Sequence, residues 1–324
     1  MRLPPAALDR SASDWRPWLH AYAIVTMSVA VVAVISGSLV TTLRVGMEDP
    51  DWPTTPWHVF TTPWSQKSFG YLIEHMHRLA DYLTGIFVIG LAVWTWLAER
   101  RTWVRWLGPL ALVGVISQGV LGGLRILKDF SFGTELRIIH GCSAHVFIAL
   151  LGVIVLVTSR GWQVTGNLSQ SSKRVRTAAV VLLAALYVQI TFGAVLRHTF
   201  YAPFAQRGHL LFAMASVAIA TWLVLLLRSD GGHRPKKLVR ALEVLLLLQV
   251  LLGVETWLKR FRNGPFVDLQ PAGADFNSEL VLRTLHLLVG SLLFATAAMI
   301  AVCTFRAALT GTSATSTGTT EGVA

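Results

Sequence analysis

Four histidines, His77, His140, His209 and His286, stand in apolar stretches at nearly one height. Each lies about 18–20 residues before the cytoplasmic end inferred for its stretch. At about 1.5 Å per residue that is roughly 27–30 Å above the inner face of a bilayer. A polar, metal-competent side chain at membrane depth is costly without a partner, and so marks a functional site by default. Neutral imidazole nitrogens are axial ligands for haem iron, and two on opposed helices at equal depth can clamp one haem. The pairs are His77 with His140 and His209 with His286, which points to two haems. Copper or zinc is the weaker reading, because no close His/Cys cluster of the usual kind occurs.

The first pair carries more than ligands. Glu74-His75-Met76-His77-Arg78 puts a carboxylate one turn before His77 on the same helix face, and Asp81 lies one turn further inward. Neither His209 nor His286 has an acid three or four residues away; their near neighbours are Arg207 and Arg283. The difference suggests that the first half does chemistry while the second holds a permanent redox haem. A plain ion pair with an arginine would equally account for Glu74. His75 points away from His77. His145, rotated about 140° from His140 and deeper, suits internal hydrogen bonding. His20, His58, His198 and His233 fall in loops or at helix ends. Arg44, Arg125, Arg137, Arg197, Arg207 and Arg283 suit haem propionates, and equally suit snorkelling at the interface.

These residues must be held by helices. Eight apolar stretches of spanning length run over about 20–43, 70–97, 104–124, 138–158, 176–196, 209–227, 238–258 and 281–304. Of the 324 residues, 53% are hydrophobic and 14% charged, against about 25% charged in a soluble protein. In lipid every backbone N–H must be paired internally, so the stretches are helices. The net charge of +11 is distributed by topology and excludes a nucleic-acid groove. Lys and Arg gather at Arg2/Arg10/Arg16, Arg100/Arg101/Arg105, Arg160/Lys173/Arg174/Arg176, Arg228/Arg234/Lys236/Lys237/Arg240 and Arg306. The opposite loops hold Glu48, Asp49, Asp51, Asp129, Glu135, Asp268, Asp275 and Glu279. That asymmetry places both termini in the cytoplasm of a multi-pass plasma-membrane protein, with basic ends facing anionic lipid. Lys259, Arg260 and Arg262 weaken the asymmetry without reversing it. No cleavable signal peptide is expected. Cys142 and Cys303 lie at opposite depths and are not expected to pair. The tail 308–324, rich in Thr, Gly, Ser and Ala, is expected to be disordered.

The odd stretches share an ending. Gln118-Gly119-Val120-Leu121-Gly122, Gln189-Ile190-Thr191-Phe192-Gly193 and Gln249-Val250-Leu251-Leu252-Gly253 match one another. The first stretch shares Ile35-Ser36 and Leu43-Arg44 with Ile116-Ser117 and Leu124-Arg125. Each even stretch opens with a histidine. A helix pair repeated four times predicts an all-α membrane protein of two pseudo-symmetric four-helix bundles, related by an axis along the membrane normal. The expected units are a cytoplasmic segment 1–19, a first bundle 20–158, a linker 159–175, a second bundle 176–304 and a tail 305–324. The glycines and glutamines suit close helix packing, or the wall of a cofactor pocket.

From about residue 20 to 304 this pattern resembles the haem A synthase family. The resemblance is carried by Asp51-Trp52-Pro53-Thr54-Thr55, Glu74-x-x-His77-Arg78, Ile139-His140-Gly141-Cys142, Gly208-His209-Leu210-Leu211-Phe212 and His286. It implies a membrane oxidoreductase that converts the C8 methyl of haem O to the formyl group of haem A for haem-copper terminal oxidases. It also implies a haem b held by His209 and His286, the substrate porphyrin at Glu74, His77 and His140, and a haem O synthase as supplier. Some members carry a cysteine pair in an outward loop; this chain has none there, so its electron-transfer partner is not a loop disulfide. The other readings are a di-haem b-type carrier linked to quinone, which would need no Glu74, and a haem transporter or chaperone.

Overall fold

The computed structural model describes residues 15–48, 67–163, 171–199, 202–229, 235–260 and 274–306, with Thr61 and Pro63. The outward motif at 51–55, the tail after 306, His58, His233 and Asp268 lie outside the described residues. Among the described residues eight long helices run in order: α1 (Pro17–Leu43), α2 (Phe69–Ala98), α3 (Leu107–Leu127), α4 (Asp129–Thr158), α5 (Lys173–His198), α6 (Pro203–Ser229), α7 (Lys236–Arg260) and α8 (Ala274–Thr304). Among the described residues there is no strand.

Local signals set several ends. Pro17 opens α1, where its missing N–H removes nothing from the ladder. Arg44, with φ 58°, closes the same helix in the left-handed conformation. Ser68 caps α2 by accepting from the Tyr71 N–H at 3.0 Å. Three helices start at least six residues earlier than their apolar stretches: α4 at Asp129 rather than 138, α6 at Pro203 rather than 209, and α8 at Ala274 rather than 281. Hydropathy marks the part of a helix that lipid surrounds, and the polar first turns lie beyond it. In α4 that extension bends at Phe132, whose φ of −139° leaves the helical region.

Seven of the eight helices are long and apolar enough to cross a membrane. The remaining one, α7, has Lys236, Lys237, Arg240 and Glu243 at one end and Glu255, Lys259 and Arg260 at the other. Helices α1 to α4 pack in a closed ring, each against the next and α4 back against α1. Helices α5 to α8 do the same, with a light α6–α7 contact. The two rings meet where α4 touches α5 and α8, and where α1 touches α8.

The two ends of this assembly are built differently. Away from the histidines, the interior is apolar and rich in small residues, with Ala23, Ala178, Ala179, Ala220, Ala295 and Ala297 all buried. Small side chains let helix backbones approach, which is how helices associate in lipid. Val32, Ile86, Ile89, Val113, Leu225 and Leu247 face outward, as a lipid-facing surface requires. The ends beyond this core are clamped by charge. Arg101 donates to Glu99 at 2.7 Å and to the Val157 carbonyl at 3.0 Å. Burial opposes the charge of Glu99, but the hydrogen bonds from Arg101 prevail and hold its carboxyl below the usual range. Arg306 hydrogen-bonds the Trp162 carbonyl and lies 4.5 Å from that indole's centroid.

Candidate functional site

The four histidines stand 21, 18, 20 and 18 residues before the ends of α2, α4, α6 and α8, so they share one level. Each lies against a glycine of the preceding helix. A Cβ built on Gly37, Gly193 or Gly253 would stand 2.8, 3.1 or 3.1 Å from Cε1 of His77, His209 or His286. On Gly122 it would stand 3.7 Å from Cε1 of His140, an ordinary contact. A side chain at Gly37 would force the His77 ring to move, and one at Gly193 or Gly253 would press on its histidine by a few tenths of an ångström. The shared Ile-Ser and Leu-Arg pairs align Gly37 with Gln118, but contact with the histidine pairs Gly37 with Gly122, one turn further along.

In the second ring of helices, His209 and His286 face each other with centroids 6.3 Å apart and planes at 66°. Gln189 Nε2 lies 3.3 Å from His209 Nε2, and the Gln189 carbonyl oxygen lies 3.3 Å from Nδ1 of the same ring. Gln249 Nε2 lies 3.3 Å from His286 Nε2. In the first ring, Gln118 instead donates to Ser143 Oγ at 2.7 Å. Among the described residues no group of three or more His, Cys, Asp or Glu is placed to hold a bare metal ion. Two facing imidazoles are the donor type that could hold an iron whose other ligands come from a macrocycle.

The first site is more polar. Ser36 Oγ lies 3.2 Å from His77 Nδ1, and Asp81 Oδ2 lies 3.5 Å from Nε2. Asp81, His77 and Arg125 are all close enough to His140 to act on its charge. Glu74 is 1% exposed. Its Oε1 accepts from Arg78 Nη2 at 2.9 Å and its Oε2 from the Glu48 N–H at 2.8 Å. Ser68 Oγ then donates to Glu48 Oε2 at 3.1 Å, tying the start of the α1–α2 connection to the cap of α2. Both the motif's carboxylate and its arginine partner are thus present in one ion pair.

Other side chains settle elsewhere. His75 stacks on Tyr71, with centroids 5.6 Å apart. His145 Nδ1 lies 2.8 Å from the Gly141 carbonyl, the internal bond expected of it. Arg125 donates to the Gly46 carbonyl at 2.9 Å, and Arg137 to Thr134 Oγ1 at 3.1 Å. Arg197 crosses from α5 to α1, donating to Ser38 O at 2.9 Å and Thr42 Oγ1 at 2.8 Å. Sequence reasoning missed this link between the two rings. It also missed the Glu279–Arg283 pair, which puts a buried acid two turns before His286. Cys142 and Cys303 are free thiols.

Residues 21–207, more than half of the chain, match the family model of COX15-CtaA, described as cytochrome oxidase assembly protein. The chain belongs to the COX15-CtaA family. The matched COX15-CtaA segment covers the first ring from the fifth residue of α1 onward, together with α5, and stops two residues before His209. Relatives named Heme A synthase align as well. One from Exiguobacterium sp. is 24% identical over 265 residues, 76% of this chain and 84% of its own length. One from Halalkalibacterium halodurans is 24% identical over 297 residues, 86% of this chain and 94% of its own. One from Bacillus licheniformis is 25% identical over 185 residues, covering 59% of its length.

Proposed function

We propose that this COX15-CtaA protein is a haem A synthase, oxidising the C8 methyl of haem O to a formyl group and giving haem A for terminal oxidases. The observation that carries the reading is the inequality of its two histidine sites. One has a buried carboxylate a turn from its histidine, and the other is an imidazole pair facing across 6.3 Å. Two imidazoles bonded to one metal at roughly 2 Å each have centroids about 6 Å apart, so His209 and His286 fit a resident haem b. That haem supplies one-electron redox chemistry when bound. His77 and His140 hold the substrate's iron, and Glu74 is the catalytic carboxylate.

The finer architecture follows. All eight helices cross the membrane, because the 25 residues of α7 reach about 37 Å, enough for the hydrocarbon layer. The rings are pseudo-symmetric bundles: exchanging α1–α4 with α5–α8 turns the α4–α5 contact into the α8–α1 contact, and both occur. Both termini face the cytoplasm, on the side of the basic clusters. Reporter fusions at Ser171 and Thr55 are expected on opposite sides; finding both on one side would sink the eight-span topology.

The partners are a haem O synthase upstream, a separate electron acceptor, and membrane lipid. In cells that make haem O but no haem A, this chain is expected to produce haem A. Pigments extracted from the purified protein are expected to be haem B with haem O or haem A. Haem B alone, with no haem A in the cells, would overturn the synthase in favour of an electron carrier. Bound haem O that is never converted would make the protein a transporter.

A further inference from the structure

We propose that Asp81 and the seam between α2 and α3 are the specificity elements of the first site. Asp81 reads the hydroxyl of haem O, and the seam gives its isoprenoid chain a way out to lipid. The proposal rests on the reading of the first site as the place where haem O binds. Haem O differs from haem B in one substituent, where a vinyl group gives way to a carbon bearing a hydroxyl and a long isoprenoid chain. A site that tells the two apart needs a polar partner for the hydroxyl and a gap for the chain. Near the cytoplasmic end the seam is tight. Gly108 of α3 packs against Ala92 and Thr95 of α2, and Trp96 meets Trp106 edge-on with centroids 5.0 Å apart. Steps of seven and eleven residues along the same faces lead back from Ala92 to Gly85 and Asp81, and on from Gly108 to Val115 and Gly119. The two helices run antiparallel, so Asp81 comes level with Gly119. There the seam is open. Gly119 is exposed, and among the described residues a Cβ built on Gly119 or Gly85 would meet no atom within 4 Å.

Asp81 is the group that needs covering. Its side chain is 49% exposed, at a depth where a carboxyl facing lipid is costly. Its contact with His77 does not account for it. Oδ2 lies 3.5 Å from His77 Nε2, long for a hydrogen bond, and Ser36 takes the Nδ1 side, so Nε2 is the nitrogen left for the substrate's iron. A nitrogen bonded to iron has no proton to give, and the carboxyl then turns to another donor. The hydroxyl beside the isoprenoid chain is one. At the corresponding position, four residues on, the other three histidines have Ala144, Ala213 and Gly290, so only this site carries a carboxyl there. Lipid is as apolar as the chain, so the seam adds no affinity of its own. It lets the porphyrin seat between the helices with the chain attached.

The test uses the full chain, purified with its resident haem from cells that make no haem O and titrated with three ferric haems. Haem O has the hydroxyl and the chain, haematohaem has hydroxyls without the chain, and haem B has neither. The added Soret absorbance gives each affinity, and the resident haem's unchanged band reports that each variant is folded. The unaltered protein is expected to bind haem O and haematohaem about tenfold more tightly than haem B, the effect of one net hydrogen bond. Asp81→Ala should erase that preference while leaving the affinity for haem B unchanged. Asp81→Asn keeps an acceptor oxygen and should retain most of it. Gly119→Leu and Gly85→Leu should weaken haem O about tenfold and leave haematohaem unchanged. Equal loss of all three haems in Asp81→Ala would make Asp81 a partner of His77 alone and overturn the proposal. Normal binding of haem O by both glycine variants, or an unaltered protein that takes haem B as tightly as haem O, would overturn it too. If His77→Ala/His140→Ala binds haem O normally, the first site itself is misassigned instead.

Discussion

Replacing His209 and His286 together by alanine is expected to abolish the low-spin b-type band while the protein remains in the membrane. Both rings face one space at 6.3 Å, and no other histidine is placed by the described contacts to take over. The apolar helix contacts that hold the bundle lie well below this level, around Leu182, Leu223, Leu293 and Ile300. Loss of the ligands should therefore spare the fold. Reduced-minus-oxidised spectra of membranes, with an immunoblot for the protein, measure both. A normal band in the double variant would show the haem to be held elsewhere. Milder perturbations should follow the glycine geometry. Gly193→Ala and Gly253→Ala drive a methyl to 3.1 Å from the ligand ring and should shift or weaken the band. Gly122→Ala, which lies against His140 in the other site, should leave this band unchanged.

The level of the histidines was legible in the sequence because an α-helix rises uniformly, so distance along the chain converts to depth. What hydropathy could not locate was the polar extension of a helix beyond lipid, and α4 accordingly begins nine residues before its apolar stretch. The division of labour between the sites was read from acids within one turn of a histidine. That window admits Glu74 and excludes Glu279, whose pairing with Arg283 lies two turns out. Arg197 was read as suiting a propionate or the interface alike; its tie to Ser38 depends on how α1 meets α5, a tertiary contact with no local signal. The Gln-x-x-x-Gly endings were visible as a repeat. Their diversion in the first bundle depends on Ser143, which no repeat predicts.

Glu74→Gln is expected to keep the fold and the second-site band yet lose most conversion of haem O. Oxidising an unactivated porphyrin methyl requires charge or proton handling beside it. Glu74 is a buried carboxylate one turn before His77, its two oxygens oriented by Arg78 and by the Glu48 N–H. If positive charge develops on the substituent, a fixed anion in a low-dielectric pocket stabilises it. If water adds, the same group accepts its proton. Losing one preorganised charge of this kind costs on the order of 10²–10³-fold in rate. Pigment chromatography should accordingly show haem O persisting, with a hydroxylated product where the reaction stalls part-way. His77→Ala or His140→Ala should lose conversion as well, by misplacing the substrate's iron. The ion pair with Arg78 supplies the competing explanation, that glutamine merely upsets the local charge balance. Glu74→Gln/Arg78→Gln separates the two, since coupled partners recover when both are removed. A catalytic Glu74 leaves the double variant as inactive as the single one. Recovery of haem A in the double variant, or near-normal haem A from Glu74→Gln alone, would reduce Glu74 to a structural partner of Arg78.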